Sequence, residues 1–213
     1  MRQNSNTNIQ ITDIQYFGNI EFYSSLINSS YIVFFPEKLY ERSAYVNRTV
    51  ISGPNGLIPL SIPLEGGRNQ RKMIRDVKIA DEYGWRRIHW RSIHDSYRKS
   101  PWFDNLGWQV ELLYRNPPIF LLDWNLKLMN WVFKVLKHNV DIVAEELKQG
   151  HNEQLTNIPI HLHQNEDLQR HPPYLQVFSD RFGFQPNLSI LDLLFCTGPG
   201  SLDYIKNLHK IKR

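Results

Sequence analysis

Tyr31-Ile32-Val33-Phe34-Phe35 contains no charge and a single phenol. A strand solvated on one face alternates, whereas an unbroken apolar run of this length reads as a strand covered on both faces. Just upstream, Asn8 to Ile14 sets Ile9 and Ile11 among polar neighbours, the period of two of a first strand. Between them, Phe17 to Leu26 brings Phe17, Ile20, Tyr23 (or Phe22) and Ile27 near helical spacing. Strand, helix and doubly buried strand make a parallel βαβ opening, which places the chain in the α/β class. Downstream, Tyr45–Ser52 and Leu57–Pro63 predict two more strands of an N-terminal mixed sheet. Gly53-Pro54-Asn55-Gly56 joins them, a turn signal because Gly and Asn tolerate positive φ. Ile74 to Ile79 alternates imperfectly and reads as a further strand.

The second half is helix-rich. Trp85, His89, Ile93 and Tyr97 recur at every fourth position within Trp85–Lys99, giving one buried stripe. Asp104–Tyr114 is a helix that Asn116-Pro117-Pro118 ends. Phe120–Lys137 follows, with Leu121, Trp124, Leu128, Trp131, Val132 and Val135 over a wide face. His151 to Pro173 lacks periodicity and reads as a long loop or an irregular strand. Ser189-Ile190-Leu191-Asp192 has the form of a capping box, and Gly198 is placed to end that helix. Ser201 caps a last helix running into a basic tail, 206–213. One domain over 9–205 with a frayed start, 1–8, is the expected organisation.

The 213 residues carry 25 Lys and Arg against 21 Asp and Glu, a net charge of +4. A single cysteine, Cys196, excludes a disulfide framework and a Cys-based zinc site. The best apolar stretch, Phe120 to Leu136, is interrupted by Asp123, Lys127 and Lys134, so it is no membrane span. The polar opening has no apolar core of a signal peptide. A cytoplasmic protein without a membrane span is expected.

The charge is unevenly placed. Residues 66–99 hold ten Lys or Arg against Asp76, Asp81, Glu82 and Asp95, for a local +6. Gly66-Gly67-Arg68-Asn69-Gln70-Arg71-Lys72 suits an oxyanion, because glycines let backbone N–H groups approach and Arg binds in a bidentate fork. Arg86, Trp90, His94 and Arg98 form a second stripe that mixes cations with an aromatic ring. Either a nucleotide-sugar pyrophosphate or a nucleic-acid backbone would be served by it, and a solvated cationic face is the plain alternative. A second polar group, Arg42-Ser43-Ala44-Tyr45-Val46-Asn47-Arg48, reads equally as a binding face for a phosphate, carboxylate or sugar hydroxyl and as the wet side of an edge strand. His161, His163 and Glu166 could approach a metal, against a polar loop. His89 reads as a hydrogen-bonded core histidine or as a general base, and Cys196 as a buried inert thiol. No nucleophile elbow, phosphate loop or dinucleotide fingerprint is present in the sequence.

Three blocks together resemble the WbqC-like family. The first holds Arg42-Ser43, Asn47-Arg48, Gly53-Pro54-Asn55-Gly56 and Leu60 to Pro63. The second is Trp85-Arg86-Arg87-Ile88-His89-Trp90, Tyr97-Arg98-Lys99 and Pro101-Trp102-Phe103. The third is Tyr174-Leu175-Gln176-Val177-Phe178 and Phe184-Gln185-Pro186-Asn187-Leu188-Ser189-Ile190-Leu191-Asp192-Leu193-Leu194-Phe195. The family's opening Gln-Pro, aromatic pair and Pro is here Gln15-Tyr16-Phe17-Gly18, with the prolines lost, and the stretch before Tyr174 is shorter. The resemblance implies a bacterial transferase of O-antigen (lipopolysaccharide) assembly, passing glycine or another acyl group to a nucleotide-linked amino sugar. On that reading Arg42, Arg48, Arg68 and Arg71 bind the anionic part of the substrate, and Ser43 and Asn47 orient hydroxyls. His89 or Tyr97 is the nearest acid/base. No cofactor or metal is called for, and an anionic small molecule is favoured over nucleic acid. A non-enzymatic anion- or nucleic-acid-binding module using 66–99 is the alternative.

Overall fold

In the computed structural model, which describes residues 8–41, 45–67, 69–82, 84–146 and 170–211, the apolar run is β2 (Tyr31–Phe34) and lies at the centre of a three-stranded parallel sheet. β1 (Ile9–Ile11) pairs along one edge, Ile9 opposite Tyr31 and Ile11 opposite Val33. The other edge is β5 (Asp141–Ala144), Tyr31 opposite Asp141 and Phe34 opposite Ala144. The βαβ opening is therefore present, with α1 (Ile20–Leu26) as its crossover. β5 is not legible by periodicity: Ile142 and Val143 are its only large apolar residues, and the strand is mostly exposed.

β3 (Arg48–Gly53) and β4 (Gly56–Ser61) form a separate antiparallel hairpin, with Gly53 opposite Gly56 across the expected turn. The segment expected as a strand at Ile74–Ile79 is instead a 3-10 turn, Ile74–Asp76. Isolated bridges surround it, Leu39 with Met73, Leu64 with Ile79 and Lys78 with Phe120. The reason is that its neighbours belong to three different elements, so no continuous ladder forms.

The helices are α2 (Trp85–Tyr97), α3 (Phe103–Arg115), α4 (Leu121–Val135), a short α5 (Ser179–Phe182), α6 (Ile190–Thr197) and α7 (Ser201–Ile211). All four residues of the α2 stripe are buried. α4 is the core helix, burying Leu121, Trp124, Leu128, Met129 and Val132 completely. The chain between β1 and α1 is held from three sides. Thr49 and Ser189 both donate their hydroxyls to the Phe17 carbonyl, at 2.9 and 3.0 Å, and Phe17 itself sits at φ 42°. Asn19 caps α1 through the Phe22 amide at 2.8 Å, and Asn187 accepts from the Glu21 amide at 3.0 Å. Two donors left over at the helix start are thus matched, that of Phe22 by the cap residue itself and that of Glu21 from the approach to α6. Among the described residues, no helix is long and apolar enough to cross a membrane.

Candidate functional site

In a parallel sheet the loops after the strands' carboxyl ends are where side chains converge on a ligand. Here Asp13 follows β1 and Lys38 follows β2, and their side chains pair at 2.9 Å while partly buried. Between them is a recess of about 20 Å³ walled by Ile14, Phe35, Tyr40, Val46 and Leu122, room for one water. Asn125 ties two of these walls together, its amide donating to the carbonyls of Ile14 and Val46 at 3.1 and 2.7 Å.

The basic segment runs along the same edge. Tyr40 N–H donates to the Lys72 carbonyl at 2.8 Å, Ile74 N–H to the Lys38 carbonyl at 2.8 Å, and Arg75 N–H to the Pro36 carbonyl at 3.2 Å. Arg75 also pairs with Glu37 at 2.7 Å. Arg71 and Lys72 are exposed and so face water beside the Asp13–Lys38 pair's edge of the sheet. Arg42, Ser43 and Arg68 lie outside the described residues, as do His161, His163 and Glu166. Tyr40, two residues before Arg42, pairs with Lys72, four residues after Arg68, so the segments 36–40 and 72–75, separate in sequence, lie side by side. Asp13 and Lys38 escaped the sequence reading. Their signal was their place, just past the ends of two adjacent parallel strands.

Asn47 and Arg48 are elsewhere on the hairpin. Asn47 exchanges two bonds with Ile62, side-chain amide to carbonyl at 2.9 Å and carbonyl to N–H at 2.8 Å, and so fixes the hairpin's open end. Arg48 is exposed and donates through Nε to the Ser61 hydroxyl at 2.9 Å.

His89 and Tyr97 lie two turns apart on the buried face of α2 and do not meet. His89 Nδ1 lies 2.9 Å from the Tyr16 hydroxyl, which also contacts the Tyr114 hydroxyl. Burial pushes the imidazole down to about 4, a displacement that the Ser61 backbone opposes. The ring is neutral at pH 7, and its one N–H is best placed on Nε2, towards Ser61. Nδ1 is then the acceptor, Tyr16 donates to it, and Tyr114 donates to Tyr16. Trp85, Phe17 and Trp124 pack around this chain. Because the unfolded histidine titrates near 6.5, His89 contributes stability that is fully present above pH 6.5 and is lost as pH falls towards 4. The interval corresponds to about 3 kcal/mol at roughly 1.4 kcal/mol per pH unit. Urea unfolding between pH 4.5 and 7 should show this slope. His89→Gln should flatten it, and an unchanged slope would assign the acid sensitivity elsewhere.

Tyr97 is fully buried, donates to Asp192 Oδ1 at 3.0 Å and accepts from the Ser52 amide at 3.3 Å. Asp192 is buried as well. Oδ2 accepts from Tyr174 at 2.5 Å and from Gln176 at 2.8 Å. Burial outweighs these donors and holds its carboxyl above the usual range. The expected capping box is only half made. Ser189 Oγ accepts from Leu191 N–H at 3.4 Å, but the Asp192 carboxylate turns to the two tyrosines and Gln176 and not back to the helix start. Cys196, one turn on, is buried with its thiol pushed far up by that burial, which fits an inert thiol. On the basic stripe Trp90 stacks on Phe103 at 6.2 Å, while Arg86 pairs with Asp81 at 2.6 Å. Among the described residues no group of three or more His, Cys, Asp or Glu is arranged for a metal.

A parallel βαβ start with a basic segment along its carboxyl edge defines the class, an α/β protein with a basic segment at its rim. The chain belongs to the WbqC-like protein family, whose model matches residues 15–169. That match takes in the α1 approach, the hairpin and α2 to α4, and stops before Tyr174 and the Phe184–Phe195 block. The chain is also similar to the uncharacterized protein Rv1507c of Mycobacterium tuberculosis, at 23% identity over 204 residues, 82% of this chain and 87% of that protein. No solved structure matches it.

Proposed function

We propose that the protein is a transferase of cell-surface polysaccharide assembly that holds an anionic, nucleotide-linked amino sugar at the carboxyl edge of the parallel sheet and passes glycine or another acyl group to it. One observation supports this above the others: the Tyr40–Lys72 pairing, which lays the basic segment along the edge where β1 and β2 deliver Asp13 and Lys38. The reaction class is the one that resemblance to the WbqC-like family implies. The recess takes no more than a water, so the ligand lies across its mouth. There Arg71 and Lys72 bind phosphate oxygens, and Arg42, Ser43 and Arg68, which lie outside the described residues, are the further candidates by sequence. Asn47 and Arg48 extend the surface along the hairpin. His89 and Tyr97 are too deeply buried to meet a substrate directly, and Asp13 and Glu41, which line the recess, are the carboxylates at the edge for accepting the proton of an attacking amine.

The test is thermal unfolding at fixed ionic strength with nucleotide-sugars, acyl-CoA and oligonucleotides. A ligand at a hundred times its dissociation constant adds about 2.7 kcal/mol, or roughly 5–10 °C for a chain of this size. A nucleotide-sugar should raise the melting temperature, and the Arg71→Ala/Lys72→Ala double variant should abolish that rise while melting normally alone. Loss in Arg48→Ala but not in the double variant would move the ligand to the hairpin. A shift seen only with oligonucleotides, and erased by salt, would replace the transferase with an anion-binding module.

A further inference from the structure

We propose that the recess between the β3–β4 hairpin and residues 184–189 is a second binding site, for a small uncharged group that carries a carbonyl-type oxygen on an apolar body. It measures about 190 Å³, the volume of about six waters at roughly 30 Å³ each. Val50, Leu57, Phe184 and Leu188 give it apolar walls, Asn19, the cap of α1, and Tyr45 line it as well, and the facing segment brings the carboxamides of Gln185 and Asn187.

The two carboxamides decide the chemistry. Gln185 Oε1 already accepts from the Ser52 hydroxyl at 2.6 Å, and Asn187 Oδ1 from the Glu21 amide at 3.0 Å. What each has left to offer is its NH₂, a pair of donors with no acceptor among the described residues, set among apolar walls. Such a surface complements an acceptor oxygen. No Lys or Arg lines the recess, and the negative charge of Glu21 acts on Tyr45 in its lining, so a carboxylate or phosphate is disfavoured. The wall is also rigid. Asn187 is held at φ 52°, Ser189 N–H donates to the Val50 carbonyl at 2.9 Å, and Ile20 N–H to the Leu188 carbonyl at 3.0 Å. A preformed wall spares the ligand the entropy of ordering it. The site stands whether or not the sheet edge binds a nucleotide.

Isobutyramide, with six non-hydrogen atoms, is the probe. Titrated into the ¹⁵N-labelled protein, it should give saturable millimolar shifts in the Gln185 and Asn187 side-chain NH₂ signals and in the amides of Val50, Leu57 and Leu188. Leu57 is 47% exposed, so Leu57→Trp fills the recess without disturbing the core and should abolish the shifts. Asn187→Asp keeps the acceptor for Glu21 N–H but removes the NH₂, and should weaken binding about tenfold. Isobutyrate should bind at least tenfold more weakly than the amide. Shifts that do not saturate, shifts centred elsewhere, binding retained in Leu57→Trp, or isobutyrate binding as well as the amide would each overturn the proposal.

Discussion

Asp192→Ala should lower the unfolding free energy by about 3–5 kcal/mol, read as a fall in the urea midpoint without a change of slope. Three donors converge on this carboxylate, the hydroxyls of Tyr97 and Tyr174 and the amide of Gln176, and it is wholly buried with no cation beside it among the described residues. Truncation leaves those donors facing a void, and each unsatisfied buried group costs about 1–3 kcal/mol. Asp192→Asn separates charge from shape. The folded carboxyl titrates above its unfolded value, because burial disfavours the anion. Its contribution is therefore greatest below the unfolded pKa of 3.8 and falls as pH rises through the folded one. The stability of Asp192→Asn relative to the parent should accordingly improve from pH 4 to 7. A constant difference would mean the site is already fully ionised in the folded protein at pH 4. This window overlaps that of His89 with the opposite sign, so each is read only against its own variant.

Gly198→Ala should cost about 2–4 kcal/mol, from two sources. The residue has φ 52°, left-handed backbone that a side chain adopts at a cost of about 1 kcal/mol. The added Cβ would also stand 2.2–2.5 Å from three ring atoms of Trp102. That indole is fixed, because Trp102 N–H donates to the Phe195 carbonyl at 3.1 Å and the ring rests on the end of α6. Overpacking of this kind adds about 1–3 kcal/mol. Trp102→Leu should make Gly198→Ala cheaper in a double-mutant cycle, leaving only the backbone part. Simple additivity would show that the ring is not the obstacle.

The two residues differ in how far their sequence setting foretold them. Gly198 was placed as the stop of a helix, and it is one; that it also admits an indole needed Trp102 to arrive from the α2–α3 turn. Ser189 was read as the cap of α6 and caps it. Asp192 was read as its partner in that cap, and is instead the acceptor for Tyr97, Tyr174 and Gln176 from two other segments. A capping motif describes only local bonds, and a buried carboxylate goes wherever the most donors are. The same limit applies to the candidate site. The His89 stripe is plain at every fourth residue, while the phenol chain through Tyr16 and Tyr114 depends on a loop and a helix far apart in sequence.

Local pattern alone settled the α/β class, the parallel opening, the hairpin with its Gly53–Gly56 turn, and the buried faces of α2 and α4. Each of those follows from side chains repeating at the period of their own element. Tertiary structure decided that Asp141–Ala144 completes the sheet, that residues 74–79 form no strand, and that the basic segment lies along the strands' carboxyl ends. Those outcomes depend on hydrogen-bond partners tens of residues away, such as Lys72 for Tyr40, and periodicity carries no information about partners at that range.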